Sequence, residues 1–347
     1  MKKVIFILAL ALTGSMTFAQ DTPLEISGSA DVYYKYDFAK VPNIGTSFAS
    51  DQNSVSLGMI DIALKKTTGK TSFVGEVSFG PRGQYQSILN GDGNPANESN
   101  SFHIQNLYAT YAATDKLSFT AGYMGTFIGY EVISPVGNFH YSTSYLFTNG
   151  PFQNAGVKAN YAFSDKVGLM IGGFNSSWNV YSADPFKGLN AIGAQLSLAP
   201  AEGVSAYLNF MDGSESGTIV DLTASFQLSE KFKLGLNAAD WSASGDSDFG
   251  YTGVALYPSV AVTENFGLGL RAEYFKAKEN SAMFGLSADN SVTAFTLSAN
   301  LKSGGLTVIP EFRLDSAKED NFMDSATSIM ADTKSATQFS VALVYGF

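Results

Sequence analysis

The chain has 347 residues, of which 45% are hydrophobic and 13% aromatic, while charged residues make up 15%, against about 25% in a typical soluble domain. The absence of Cys excludes disulfides and thiolate metal sites, and a formal charge of −10 without clustered cations excludes nucleic-acid binding. Mean hydropathy is +0.04, and beyond the N-terminal segment no apolar run reaches transmembrane-helix length, so the apolar residues must be distributed by alternation.

Lys2 and Lys3 precede an apolar run from Val4 to Leu12 and a small-residue stretch from Thr13 to Ala19. Thr17 and Ala19 stand at the minus-three and minus-one positions of a cleavage site before Gln20. Residues 1–19 therefore read as a secretory signal peptide, too short for the ~20 residues of a spanning helix, and residues 20–347 as a single domain. No Cys follows the cleavage site, which excludes a lipid anchor of the bacterial type.

From there the chain alternates at period two, the mark of strands with one apolar face. Ile26, Gly28, Ala30, Val32, Tyr34, Tyr36 and Phe38 alternate with Glu25, Ser27, Ser29, Asp31, Tyr33, Lys35 and Asp37. The phase slips around Met59 to Leu64, which predicts a bulge. Clear alternation returns at 117–123, 154–161, 220–228 and 266–274, whereas Tyr251 to Val262 is ambiguous on both faces. Pro310 falls inside a strand, removes a ladder donor and predicts a second bulge. The chain ends with Phe339, Val341, Leu343, Tyr345 and Phe347 on one face. In water such a stripe is a sticky edge, but in a lipid-embedded barrel it is the membrane face of the final strand.

Short connections at 67–70, 112–115, 164–166, 200–203, 229–231, 263–265 and 302–305 alternate with long ones at 39–53, 80–101, 125–153, 176–190, 212–218, 242–249, 276–290 and 316–336. Seven short turns and eight long loops separate sixteen strands. The fold class is thus all-β: a transmembrane antiparallel up-and-down β-barrel whose first strand pairs with its last. An even count puts both termini with the short turns, on the periplasmic side of a bacterial outer membrane.

At this strand number a barrel encloses an aqueous channel, so the polar strand faces are expected to be wet. The charged residues of those faces are the candidate pore lining: Lys35, Asp37, Lys158, Asp221, Arg271, Glu273, Glu311, Arg313 and Asp315. Residues two apart on a strand lie ~7 Å apart, so opposite charges there can pair. They either set the field of the pore or serve as neutralised wall charges. The third long loop is about 29 residues, rich in aromatics and nearly uncharged, and is expected to fold into the lumen as a constriction. Its candidate residues are Phe127, Tyr130, Glu131, His140 and Tyr141. The last loop is acidic (Glu319, Asp320, Asp324, Asp332), yet its spacing matches no calcium loop. His103 and His140 are the only histidines and neither belongs to a nucleophile motif, so the chain reads as a non-enzyme without metal or cofactor.

Several segments then resemble the OmpL-like β-barrel porins: Phe79-Gly80-Pro81-Arg82-Gly83, Ile104 to Tyr111, Gly122 leading to Gly129-Tyr130-Glu131-Val132, Leu270-Arg271-Ala272-Glu273-Tyr274-Phe275, and Ile309-Pro310-Glu311-Phe312-Arg313-Leu314-Asp315. The resemblance spans nearly the whole mature chain. It implies passive diffusion of small hydrophilic solutes or ions through an outer-membrane pore, with no catalytic residues to carry over. The alternatives are a transporter for hydrophobic compounds and a barrel acting as an adhesin or structural protein. The partners implied are outer-membrane lipid and lipopolysaccharide, small solutes, and the barrel-assembly machinery through the strand ending at Phe347; monomer and homo-trimer both stay open.

Overall fold

The computed structural model describes residues 21–81, 102–179, 181 and 186–347. The signal peptide expected at 1–19 and the body of the connection at 80–101, Arg82 included, lie outside the described residues.

Sixteen antiparallel strands close into one barrel, each paired with its neighbours in chain order. They are β1 (Glu25–Asp37), β2 (Ser54–Thr68), β3 (Thr71–Phe79), β4 (Phe102–Ala112), β5 (Leu117–Gly125), β6 (Gln153–Ala162), β7 (Val167–Asn175) and β8 (Leu189–Leu198). Then follow β9 (Val204–Gly213), β10 (Gly217–Gln227), β11 (Phe232–Ala243), β12 (Asp246–Ala261), β13 (Phe266–Ala277), β14 (Ser291–Ser303), β15 (Leu306–Ala317) and β16 (Ser335–Gly346). The period-two pattern is what closes them. On β14, Phe295, Leu297 and Leu301 face outward and exposed, while Val292, Ala294, Thr296 and Ser298 between them are buried in the lumen. The ambiguous segment at 251–262 resolves the same way, with Tyr251, Ala255 and Tyr257 turned inward.

The seam runs from Ser29↔Gly346 to Asp37↔Gln338, and Gly28 and Phe347 exchange both backbone hydrogen bonds at 3.0 and 3.1 Å, so the last residue closes the barrel. The bulge expected near Met59 is present: pairing jumps from Ala30↔Ile60 to Val32↔Leu57. Asp31 Oδ1 accepts the freed Met59 N–H at 3.0 Å, and a Cβ at Gly58 would overlap the same carboxylate and displace it from that bond. The bulge expected at Pro310 is absent. β15 and β16 pair without a break through Pro310↔Val341, and pairing with β14 is interrupted between Ser298↔Glu311 and Leu301↔Val308 without a change of register. A skipped rung accommodates the missing donor more simply than an inserted residue.

All seven short turns lie within a residue or two of their expected positions. Two of the long connections do not. Residues 212–218 and 242–249 are mostly strand, turning only at 214–216 and 244–245, so the short–long asymmetry is not strict. Gly217 (φ +66°) and Gly245 (φ +79°) take the left-handed conformation that a tight reversal needs, which a Ser/Gly/Asp composition does not distinguish from a loop.

The lumen is not an empty tube. Ile44 from the first loop, Ile128, Tyr145 and Leu146 from the third, Leu286 from the seventh and Phe322 from the eighth pack with wall residues Met170, Phe174, Met211, Ile219, Tyr251 and Phe275 into one core. Each such side chain removed from water contributes about 1.5–3 kcal/mol. This core fills the lumen at the long-loop end.

Candidate functional site

The third loop, residues 126–152, leaves β5, crosses the lumen and returns to β6. A 3-10 turn at Pro135–Gly137 and a short helix, α1 (Tyr145–Asn149), are its regular pieces. Ser144 caps α1, its Oγ accepting from Phe147 N at 2.9 Å, and Glu131 Oε2 accepts from both the N–H and the hydroxyl of Ser144.

A loop with little regular structure carries backbone groups that cannot be buried unpaired, and the barrel wall supplies their partners. Glu311 accepts from Tyr141 N (2.9 Å) and Ser142 N (3.2 Å), Glu273 from Tyr145 N (3.0 Å) and Leu146 N (2.9 Å), and Asp221 from Gly129 N (3.0 Å). The guanidinium of Arg271 donates to Ser142 O, Thr143 O and Glu131 Oε1, the last at 2.7 Å. Arg313 donates to Thr143 O at 2.8 Å and to both oxygens of Asp315. Carboxylates thus hold the amides of the loop and arginines hold its carbonyls.

Aromatic packing completes the attachment. Tyr130 stacks on Tyr257 at 4.5 Å, Phe127 meets Phe174 at 5.6 Å, and Tyr141 Oη donates to Asp31 Oδ2 at 2.5 Å. Phe139 lies over Gly269, where a Cβ would come within 2.4 Å of its ring. The first loop locks the third from above: Thr143 Oγ1 donates to Ser47 O, and Phe48 packs on Phe147 and Phe152.

All nine charged candidates sit on lumen-facing positions, but eight of them (Lys35, Asp37, Asp221, Arg271, Glu273, Glu311, Arg313 and Asp315) are buried beneath these loops. The wet charged wall expected there is therefore replaced by a dry, paired one. Lys158 alone among the nine stays half-exposed. Pairing two apart along a strand occurs for Arg313–Asp315 (2.8 Å). Arg271 instead pairs with Glu131 of the loop, leaving Glu273 to the α1 amides, because the inserted loop offers nearer partners than the strand does.

The half-exposed part of the lumen wall lies on the other side, along the middle and short-turn end of β3 to β9, where Glu76, Asn106, Tyr108, Thr110, Lys158, Asn160, Gln195 and Tyr207 face inward, while the long-loop end of the same strands is buried (Ser78, His103, Asn154, Phe174, Met211). Apart from Lys158 these positions carry few charges, so a search for charged faces passes over them. Asp31 was equally readable, since it shares its face with Lys35 and Asp37.

His140 Nδ1 lies 2.7 Å from Ser298 Oγ, which donates to Glu311 Oε2 at 2.8 Å. That directs the hydroxyl proton at the carboxylate and not at the imidazole, opposite to nucleophile activation, and all three groups are buried. Burial, aided by the nearby Arg271, holds the His140 imidazole well below its usual range. His103 stacks near Tyr181 (5.9 Å), whose hydroxyl lies 3.3 Å from its Nδ1.

A family model described as "Putative beta-barrel porin-2, OmpL-like" matches residues 23–347. The chain belongs to this family of porins. Solved structures share its fold at low identity. The anion-selective porin from Comamonas acidovorans is 12% identical with a TM-score of 0.59, covering 94% of this chain and 100% of that one. The in-vitro folded trimer form of OmpT, an outer membrane protein of Vibrio cholerae, is 12% identical with a TM-score of 0.57, covering 94% and 99%. A mutant of the Rh. blastica porin is 14% identical with a TM-score of 0.57, covering 94% and 100%. No curated protein matches in sequence. An OmpL-like porin is an outer-membrane β-barrel, and the sixteen closed strands with their exposed apolar face are what such a protein needs in lipid.

Proposed function

We propose that this porin passes small hydrophilic solutes or ions by passive diffusion along the side of the lumen formed by β3 to β9, with the third loop as a fixed constriction. The observation that carries this reading is the uneven filling of the barrel: loop and wall charges are saturated on β10 to β16 and β1, while on β3 to β9 the core takes the long-loop end (Met170, Phe174, Met211) and half-exposed polar residues line the wall toward the short turns. Lys158 and Asn160 offer hydrogen bonds to a hydrated solute beside the polar side chains of Asn106, Thr110 and Gln195, which speaks against a channel for hydrophobic compounds. The buried Ser298–His140 arrangement supports a non-catalytic role.

The same reading places the loops outside and both termini in the periplasm, after removal of residues 1–19. It gives the strand ending at Phe347 to the assembly machinery, the apolar band to lipid and lipopolysaccharide, and allows a homo-trimer. Purified protein in planar bilayers should produce discrete conductance steps, and liposomes carrying it should swell with small sugars. Absence of both would overturn the proposal.

A further inference from the structure

Every other ionisable candidate of the mid-barrel has a partner that accounts for it. Arg271 has Glu131, Arg313 has Asp315, Lys35 donates to Ser50 O, and Glu273, Glu311 and Asp221 hold loop amides. Lys158 is the exception. Among the described residues its ammonium has neither an ion pair nor a hydrogen bond, although it lies at the centre of a spanning strand, half-exposed to the open side of the lumen.

Register explains why no described residue neutralises it. Thr120 on β5 and Gly172 on β7 stand directly across, and Gly156 and Asn160 are its same-face neighbours on β6. Thr120 spends its hydroxyl on Thr110 at 2.9 Å, and Gly172 has no side chain to offer. Among the described residues the next lumen carboxylate on this arc, Glu76, lies three strands away, about 14 Å at the usual strand spacing. It accepts from Asn106 Nδ2 at 2.5 Å. That separation exceeds the Debye length of about 8 Å at physiological salt, so Glu76 does not cancel Lys158 for a passing ion. An ionisable group left without a counter-ion inside a membrane-spanning structure is costly, and is retained where an incoming species supplies the opposite charge.

We propose that Lys158 is the anion-recognition residue of this pore and makes it prefer anions, with chloride, inorganic phosphate and small carboxylates as the class of solute served. This rests on the porin reading above. The acidic loops do not contradict it, because charge at the mouth, more than a Debye length from the path, is felt less than an ammonium beside it.

Reversal potentials of the full barrel in planar bilayers under a KCl gradient test it. Wild type should give a chloride-to-potassium permeability ratio above one. Lys158→Gln should lower the ratio by roughly fivefold, the Boltzmann factor of one contact charge pair in water, and Lys158→Glu should bring it below one. Inorganic phosphate should reduce the wild-type chloride current and leave that of Lys158→Gln untouched. Lys276→Glu, an outward-facing lysine on β13, should leave the ratio unchanged. Heat-modifiable migration in SDS gels verifies that each variant is folded. A cation-preferring wild type, a ratio indifferent to Lys158→Glu, or an equal shift in Lys276→Glu overturns the role of Lys158 while leaving a working pore. Absence of conductance in wild type would instead overturn the porin reading itself.

Discussion

Glu131 and Arg271 meet at 2.7 Å with at most 4% of either side chain exposed, and Ser144 and the α1 cap hang from the same carboxylate. Removing one charge leaves the other buried and unpaired, which costs about 3–5 kcal/mol. Arg271→Met should therefore lower stability by that order in urea titrations, whereas Arg271→Met with Glu131→Leu should recover a large part of it. Full recovery is not expected, since Ser142 O loses its donor in both variants, whereas Thr143 O keeps that of Arg313. His140 gives a residue-scale pH dependence. Its imidazole is held neutral by burial and by Arg271, so its folded pKa lies below the unfolded value of about 6.5. The stability this contributes is complete above about pH 6.5 and is lost as the pH falls toward the folded pKa. The fall in melting temperature below pH 6.5 should be steeper in wild type than in His140→Gln, and equal slopes would refute the assignment.

Strands were legible where period-two alternation is strong, because a lipid face and a lumen face impose the pattern residue by residue. Phe339 to Phe347 and Ile26 to Phe38 announced both edges of the seam, down to their mutual pairing. Legibility stopped where two solutions share one composition: Gly245 and its Ser/Asp neighbours read as a loop yet make a two-residue reversal, and Pro310 skips a rung instead of bulging. The inward third loop was visible in its aromatics, but its partners were not, since Tyr141 meets Glu311 across 170 positions of chain. Two element-scale tests follow. Replacing Gly129–Phe147 by a short linker should raise single-channel conductance, because it removes the filling of the lumen; unchanged conductance would refute the constriction. At the seam, Phe347→Ala retains the backbone bonds to Gly28 but removes the terminal ring from the apolar face. It should slow barrel assembly, read as a smaller heat-modifiable fraction at early times, with little change in the conductance of barrels that do fold.

For the molecule as a whole, the consequence is an asymmetric tube. A sixteen-stranded barrel has room for a wide channel, but here loops and wall share one polar network from β10 round to β1, and the passage proposed above runs along the arc from β3 to β9, whose wall toward the short turns is half-exposed. The two sides should respond oppositely to the same change. Asn160, on the open arc, is half-exposed, whereas Ser340 on β16 is 1% exposed in the filled half. Asn160→Trp adds bulk where solute passes, so conductance should fall markedly with stability nearly unchanged. Ser340→Trp adds the same bulk to a packed interior, where overpacking costs about 1–3 kcal/mol, so the melting temperature should fall while folded barrels conduct as wild type does. Measuring both quantities on both variants decides the matter. If Ser340→Trp blocks current and Asn160→Trp does not, the path runs along the other wall and the loop attachment must open to conduct.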